Sequence, residues 1–306
     1  MSDQIYITGH KNPDTDSICS AIAYAELKRS LGINAIPMRC GETNEETNFA
    51  LEKFGYQSPE LVEDVKEKSI VLIDHNESNQ SPNGIEEAEI VEVLDHHKIN
   101  FNNSKPLIFF SKPVGCTATL VYEKYLEAKV ALTKNVAGIL LSAILSDTIV
   151  FKGPTTTVSD VEIAKTLAKI ANITDLEKFG IELKKQKASL FGKSATDLIN
   201  SDLKEFNFKD KKVAIGQIEI VENSEFESRK KEILTELQKI KEAKNLSLIA
   251  FMATNIIEMG TTLLCVGETE IIEKAFHKKV AENSVYLKNV MSRKKDIVPP
   301  LEKAFS

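Results

Sequence analysis

Short apolar runs alternate with helical periodicities through the first half of the chain, the pattern of βαβ units. Ile5 to Thr8 reads as a strand, followed by a helix from about Asp16 to Leu31 that Gly32 closes. Ala35 to Met38 predicts the next strand and Thr47 to Phe54 a helix ended by Gly55. Ser69 to Ile73, Ile90 to Leu94 and Leu107 to Phe110 are short apolar runs, as buried parallel strands are. Helical patterns follow at about Thr117 to Ala128, Lys134 to Leu145, Ser159 to Ile170 and Asp175 to Ala188.

A glycine then interrupts the helical pattern in Ser189-Leu-Phe-Gly-Lys-Ser194, which places a domain boundary there: residues 1–188, a linker at 189–193, and residues 194–306. Beyond it the pattern is mixed. Lys212 to Val221, Leu246 to Ala253 and Thr261 to Val266 predict strands, and Glu227 to Lys244 a strongly amphipathic helix. The tail from Val285 to Ser306, with Pro299-Pro300, reads as irregular. There are no internal repeats.

Composition narrows the class. A chain of 306 residues is long for one core and comfortable for two domains. At 42% hydrophobic and 27% charged it is an ordinary globular composition. The longest apolar run, Gly138 to Leu145, is too short for a bilayer, and the N-terminus carries no signal-peptide pattern, so a cytoplasmic protein is expected. Cys19, Cys40, Cys116 and Cys265 are scattered and read as reduced, buried thiols rather than a zinc site or disulfides. The two charge signs balance beyond Ser194, so the net charge of −6 sits in residues 1–193. With no basic tract, the phosphate neutralisation that nucleic-acid binding requires is missing.

Three N-terminal strands end in metal-binding residue types: His10-Lys-Asn-Pro-Asp14-Thr-Asp16, Asp74-His75-Asn76-Glu77 and Asp95-His96-His97. The carboxyl ends of parallel strands form one edge of a sheet, where ligands bind, so the three clusters converge. Asp147, at the end of a helix, offers a further carboxylate. Four of the five histidines lie in these clusters. Any one taken alone has a structural explanation, and Asp16 in particular can cap the helix it opens. Imidazole and carboxylate without thiolate suits Mn²⁺ or Co²⁺ better than structural zinc. Bridging carboxylates favour two ions, the arrangement that activates water for phosphoryl hydrolysis. Ser292-Arg293-Lys294-Lys295 supplies the planar and point-charge cations that a polyphosphate needs on its far side.

His-x-Asn-Pro-Asp-Thr-Asp-Ser at 10–17, Asp-His-Asn-Glu at 74–77 and Asp-His-His at 95–97 resemble the DHH phosphoesterase superfamily. With Ser-Arg-Lys-Lys at 292–295, the resemblance narrows to family II inorganic pyrophosphatases and runs from residue 4 to about 300. It implies an α/β fold: a parallel-sheet N-terminal domain, a smaller mixed-sheet C-terminal domain, and an active site in the cleft between them. By motif position, His10, Asp14 and Asp74 hold one metal ion, and Asp16, Asp74, His96 and Asp147 the other. His97, Lys204, Arg293 and Lys294 contact phosphate, while Asp95 and His75 orient ligands. The implied activity is hydrolysis of pyrophosphate to two phosphates by a hydroxide between two Mn²⁺ (or Co²⁺) ions, with Mg²⁺ arriving on the substrate. A homodimer joined through the N-terminal domain is implied as well.

The nearest alternative is another DHH hydrolase, an exopolyphosphatase or an oligonucleotide or bisphosphate-nucleotide phosphoesterase. Nuclease-type relatives carry a Gly-Gly-Gly-His segment, of which Gly260-Thr-Thr is the nearest echo here. A non-enzymatic metal or polyphosphate sensor would be expected to lack ligands, yet every position is filled. Pro106 to Asp147 leaves no room for a regulatory nucleotide-binding insert.

Overall fold

Two stretches of chain, Met1–Lys187 and Ala188–Ser306, form separate compact units. The structure, a computed structural model, describes residues 4–188, 190 and 192–305; Ser189 and Phe191 of the expected 189–193 linker lie outside the described residues.

The first unit runs β1 (Ile5–Thr8), α1 (Thr15–Ser30), β2 (Ala35–Arg39), α2 (Glu45–Lys53), β3 (Glu60–Leu61), β4 (Ser69–Ile73), β5 (Glu89–Asp95) and β6 (Ile108–Ser111). Four helices follow: α3 (Thr117–Ala128), α4 (Lys134–Asp147), α5 (Val158–Ala171) and α6 (Leu176–Ala188). The six strands form one parallel sheet in the order β3-β2-β1-β4-β5-β6. The order reverses between β1 and β4, and a crevice opens at such a switch point outside the carboxyl ends of the strands. Residues following β1 and β4 therefore meet there. β4 is the run Ser-Ile-Val-Leu-Ile, whose last four residues are buried as a strand covered on both faces must be. α1 packs along α4. From Val136 to Ser146 α4 is buried all round, which its unbroken run of apolar and small residues permits.

The second unit comprises α7 (Ala195–Asn200), β7 (Lys204–Phe208), β8 (Lys211–Ile220), α8 (Asn223–Ala243), β9 (Leu248–Asn255), β10 (Gly260–Gly267), α9 (Thr269–Phe276), β11 (Ser284–Lys288), a π-helical turn at Arg293–Ile297, and α10 (Val298–Phe305). Its sheet is mixed, in the order β11-β10-β9-β8-β7, with β8 and β9 parallel and the other pairs antiparallel. α8 buries Phe226, Ile233 and Leu237 in one apolar core, and α10 contributes Leu301 to a second.

The tail expected to be irregular is ordered. Ser284–Lys288 forms an edge strand that buries Val285 and Leu287 alternately. Pro299 and Pro300 fall in the first turn of α10, which continues directly from the π-helical turn, and Phe305 stacks on Phe208.

Candidate metal centre

The functional side chains of the first unit follow a strand or lie at the end of a helix, in its first or last turn. Gly9, leaving β1, passes so close to α1 that a Cβ would fall 1.7 Å from the Ser17 hydroxyl. That hydroxyl accepts the His10 amide at 3.0 Å and fixes the turn. Asp14, rather than Asp16, caps α1, one oxygen accepting the Ser17 amide at 3.0 Å. Asp16 lies inside the first turn, fully buried, and accepts from the Ser20 hydroxyl at 2.7 Å and from the Thr117 and Ala118 amides at 2.5 and 3.0 Å. The opening turn of α3 is thus aimed at its carboxylate, a favourable place for negative charge.

Asp74, the residue after β4, has a left-handed backbone (φ 62°), a conformation that costs energy without glycine and recurs at functional sites. Its two oxygens face different partners. Oδ2 is 3.5 Å from His10 Nε2, and Oδ1 is 3.4 Å from His96 Nε2. His10 Nε2 is also 3.8 Å from Asp14, and His96 Nε2 3.9 Å from Asp147. A divalent ion with bonds of about 2.1 Å needs ligand atoms about 3–3.5 Å apart, slightly closer than these. His10, Asp14 and Asp74 form one group of convergent ligand atoms; Asp16, Asp74, His96 and Asp147 form a second, and Asp74 belongs to both. Asp74, His96 and His97 form a third possible group.

His96 supplies the sharpest test of fit. Its Nδ1–H donates to the Val114 carbonyl at 2.9 Å, so that when a cation displaces the second proton the lone pair is on Nε2. Nε2 is buried without a hydrogen-bond partner, an arrangement that is costly unless a cation occupies the space before it. Electrostatics agree. Burial alone would lower His10 and His96, but Asp14 and Asp74 beside the first, and Asp74 and Asp16 beside the second, raise both to about 10. Burial, then the charge of Asp74, pushes Asp16 up to about 7; burial and Asp16 push Asp147 well above the carboxylate range. Burial would raise Asp74 too, but the two imidazoles hold it below the ordinary range. A cluster that resists full ionisation and draws positive charge fits divalent cations.

The other residues of the motifs do not contribute ligands in the same way. His75 has both ring nitrogens engaged, with the Ile73 carbonyl at 2.9 Å and Ser81 at 3.0 Å, and burial lowers its pKa. It packs edge-on to His10. Asp95 accepts from His97 Nδ1 at 2.9 Å and from Asn76 at 2.6 Å; burial would raise it, but these donors lower it. That bond raises His97, whose side chain is about half exposed. A cavity of about 800 Å³, lined by first-unit residues including His97, Asn12 and Thr155, opens over the cluster.

In the second unit, Lys204 starts β7, is exposed and stands 3.9 Å from Asp202. Arg293 opens the π-helical turn and is 8% exposed, its guanidinium bound to the Asp202 carboxylate and to the Asp202 and Ile215 carbonyls. Lys294 is exposed in the same turn.

Three contributors carry no motif. Thr117 donates its hydroxyl to Asp74 Oδ1 at 2.9 Å, Val114 fixes the His96 ring, and Lys184 reaches Ser146 and Glu46 from behind Asp147. Only the Thr-x-Thr opening of a helix hinted at the first. The cysteines are unpaired, and burial pushes the Cys19 and Cys116 thiols well up, away from ligand chemistry.

The chain matches the DHH family N-terminal domain over residues 4–144 and the DHHA2 domain over 181–304. A manganese-dependent inorganic pyrophosphatase of Methanocaldococcus jannaschii is 45% identical, the match covering 98% of this chain and 99% of the relative. A probable manganese-dependent inorganic pyrophosphatase of Clostridium acetobutylicum is 43% identical over 99% of both. The crystal structure of a putative family II inorganic pyrophosphatase from Methanococcus jannaschii superposes with a TM-score of 0.65 at 45% identity, covering 99% of both chains. An exopolyphosphatase-related protein of Bacteroides fragilis, 16% identical at a TM-score of 0.51 over 99% of this chain and 92% of its own, shares the fold.

Proposed function

The chain belongs to the manganese-dependent, family II inorganic pyrophosphatases, and we propose that it hydrolyses inorganic pyrophosphate to two phosphates at a pair of divalent ions. The observation that carries this reading is Asp74, whose two oxygens face the two imidazoles of two ligand groups. His10, Asp14 and Asp74 would hold one Mn²⁺ (or Co²⁺), and Asp16, Asp74, His96 and Asp147 the other. Bound there, such ions supply Lewis acidity that acidifies water and neutralises phosphate charge. Oxygen and imidazole donors without thiolate favour manganese over structural zinc.

The protein's own groups do the rest. Thr117 and the opening of α3 hold Asp74 and Asp16 in place before any ion arrives. Asp95 accepts from His97 Nδ1 and favours the imidazolium, whose Nε2–H would then donate to a phosphate oxygen. Lys204, Arg293 and Lys294 would bind the remaining phosphate charge, with Mg²⁺ brought on the substrate. We place the enzyme in the cytoplasm as a homodimer joined through its first unit, the family resemblance supporting the dimer. Among the described residues no helix is long and apolar enough to cross a membrane. Sedimentation checks the dimer.

Phosphate release from pyrophosphate, tripolyphosphate and a dinucleotide, each with Mn²⁺ or Mg²⁺, tests the activity. Preference for pyrophosphate is expected; preference for the dinucleotide would overturn the substrate.

A further inference from the structure

Asp160 is fully buried in the first turn of α5, where it forms a capping box with Thr157. A buried carboxylate is tolerated only where donors replace the water it has lost. Capping accounts for two of them: Oδ2 accepts from the Thr157 amide at 2.7 Å and from its hydroxyl at 2.6 Å. Two more come from a distant part of the chain. Oδ2 accepts the Gly115 amide at 2.9 Å, and Oδ1 accepts the Thr119 hydroxyl at 2.6 Å. Helix capping requires neither.

One of these donors lies within the segment from Val114 to Ala118 and the other directly follows it, and four polar groups of that segment act on the metal cluster. The Val114 carbonyl sets the His96 ring, the Thr117 hydroxyl binds Asp74, and the Thr117 and Ala118 amides bind Asp16. The fit against Asp160 leaves no slack: a Cβ on Gly115 would lie 2.7 Å from Oδ2 and 3.0 Å from the Thr148 methyl. Without its anchor the segment would be free to shift, and three ligands would lose their bearings together.

We propose that Asp160 is a positioning residue of the metal centre, holding the Val114–Ala118 segment where it orients His96, Asp74 and Asp16. This rests on the metal assignment given above. Asp160 would touch neither ion nor substrate. Its influence is unequal, because the bonds from this segment reach three ligands of the Asp16–Asp74–His96–Asp147 group but only the shared Asp74 of the other, and none of those described reaches His10 or Asp14.

The test is Mn²⁺ titration of the full-length chain by calorimetry, with electron paramagnetic resonance of the loaded protein, for wild type, Asp160→Asn, Gly115→Ala and Thr157→Ala. Asparagine keeps the size but replaces one accepting oxygen with a donor. Affinity for one of the two ions is expected to fall about 10- to 100-fold, the usual effect of removing a partner behind a ligand. The other ion, which shares Asp74 but keeps His10 and Asp14, should weaken much less, and the spectrum should change from a coupled pair to a single ion. Gly115→Ala should reproduce this from the opposite side of the contact. Thr157→Ala removes the capping hydroxyl but keeps the Gly115 and Thr119 bonds, so it should lower thermal stability without altering either affinity. Wild-type affinities in Asp160→Asn would overturn the proposal alone, and so would a Thr157→Ala variant as weak in metal as Asp160→Asn. Should Asp160→Asn fail to fold, wild-type affinities in Gly115→Ala would overturn it. A wild-type chain that binds no Mn²⁺ would overturn the metal assignment and this proposal with it.

Discussion

Arg293 is joined to Asp202 twice, through Nη2 to the carboxylate at 2.9 Å and through Nη1 to the backbone carbonyl, and Nη1 also reaches the Ile215 carbonyl at 3.1 Å. These three bonds fix the plane of the guanidinium and leave Nε–H with the second Nη2 hydrogen as a fork along one edge. Arg293→Lys keeps the charge and removes both the anchors and the fork. It should lower kcat/KM for pyrophosphate by about 10- to 100-fold, the worth of one or two charge-assisted hydrogen bonds. Manganese content should not change. Unaltered phosphate release would confine Arg293 to holding the second unit together.

His96 and His97 are adjacent in sequence and opposite in role. His96 Nε2 is buried and unpartnered, whereas His97 is about half exposed with Nδ1 on Asp95. His96→Asn should weaken one ion by more than about 100-fold, beyond the range for residues that only support ligands. His97→Asn should keep both ions and lose turnover. Loss of an ion in His97→Asn would favour the alternative group of Asp74, His96 and His97.

Removing metal should loosen the first unit, because Asp14, Asp16, Asp74 and Asp147 crowd one place, opposed among the described residues by imidazoles, Lys184 and the donors that open α3. Each ion present at 1,000 times its dissociation constant stabilises by about 4 kcal/mol, so the pair contributes about 8 kcal/mol. At about 2–4 °C per kcal/mol for a domain of this size, chelation should lower the melting temperature by roughly 16–32 °C. Calorimetric scans with and without chelator measure it; coincident transitions would mean that the cluster is not a tight metal site.

Much of this architecture is legible in the residues. A strand buried on both faces, such as Ser69–Ile73, announces itself as an apolar run, and acids and imidazoles placed just beyond three strands mark one sheet edge. What supports them is harder to see. Asp160 belongs to no motif, and its bonds to Gly115 and Thr119 arise only when α5 packs against the start of α3 and the residues before it. Val114 acts through a backbone carbonyl, which no side-chain pattern reports. The tail is misread because Pro299-Pro300 suggests a break, although prolines at a helix start are compatible with α10.

Metal per chain in Asp74→Ala, by elemental analysis after desalting, tests the shared-carboxylate account most directly. Wild type should retain two Mn²⁺ per chain. The variant, deprived of the one side chain common to both ligand groups, should retain neither tightly. Two ions still bound in Asp74→Ala would contradict the account.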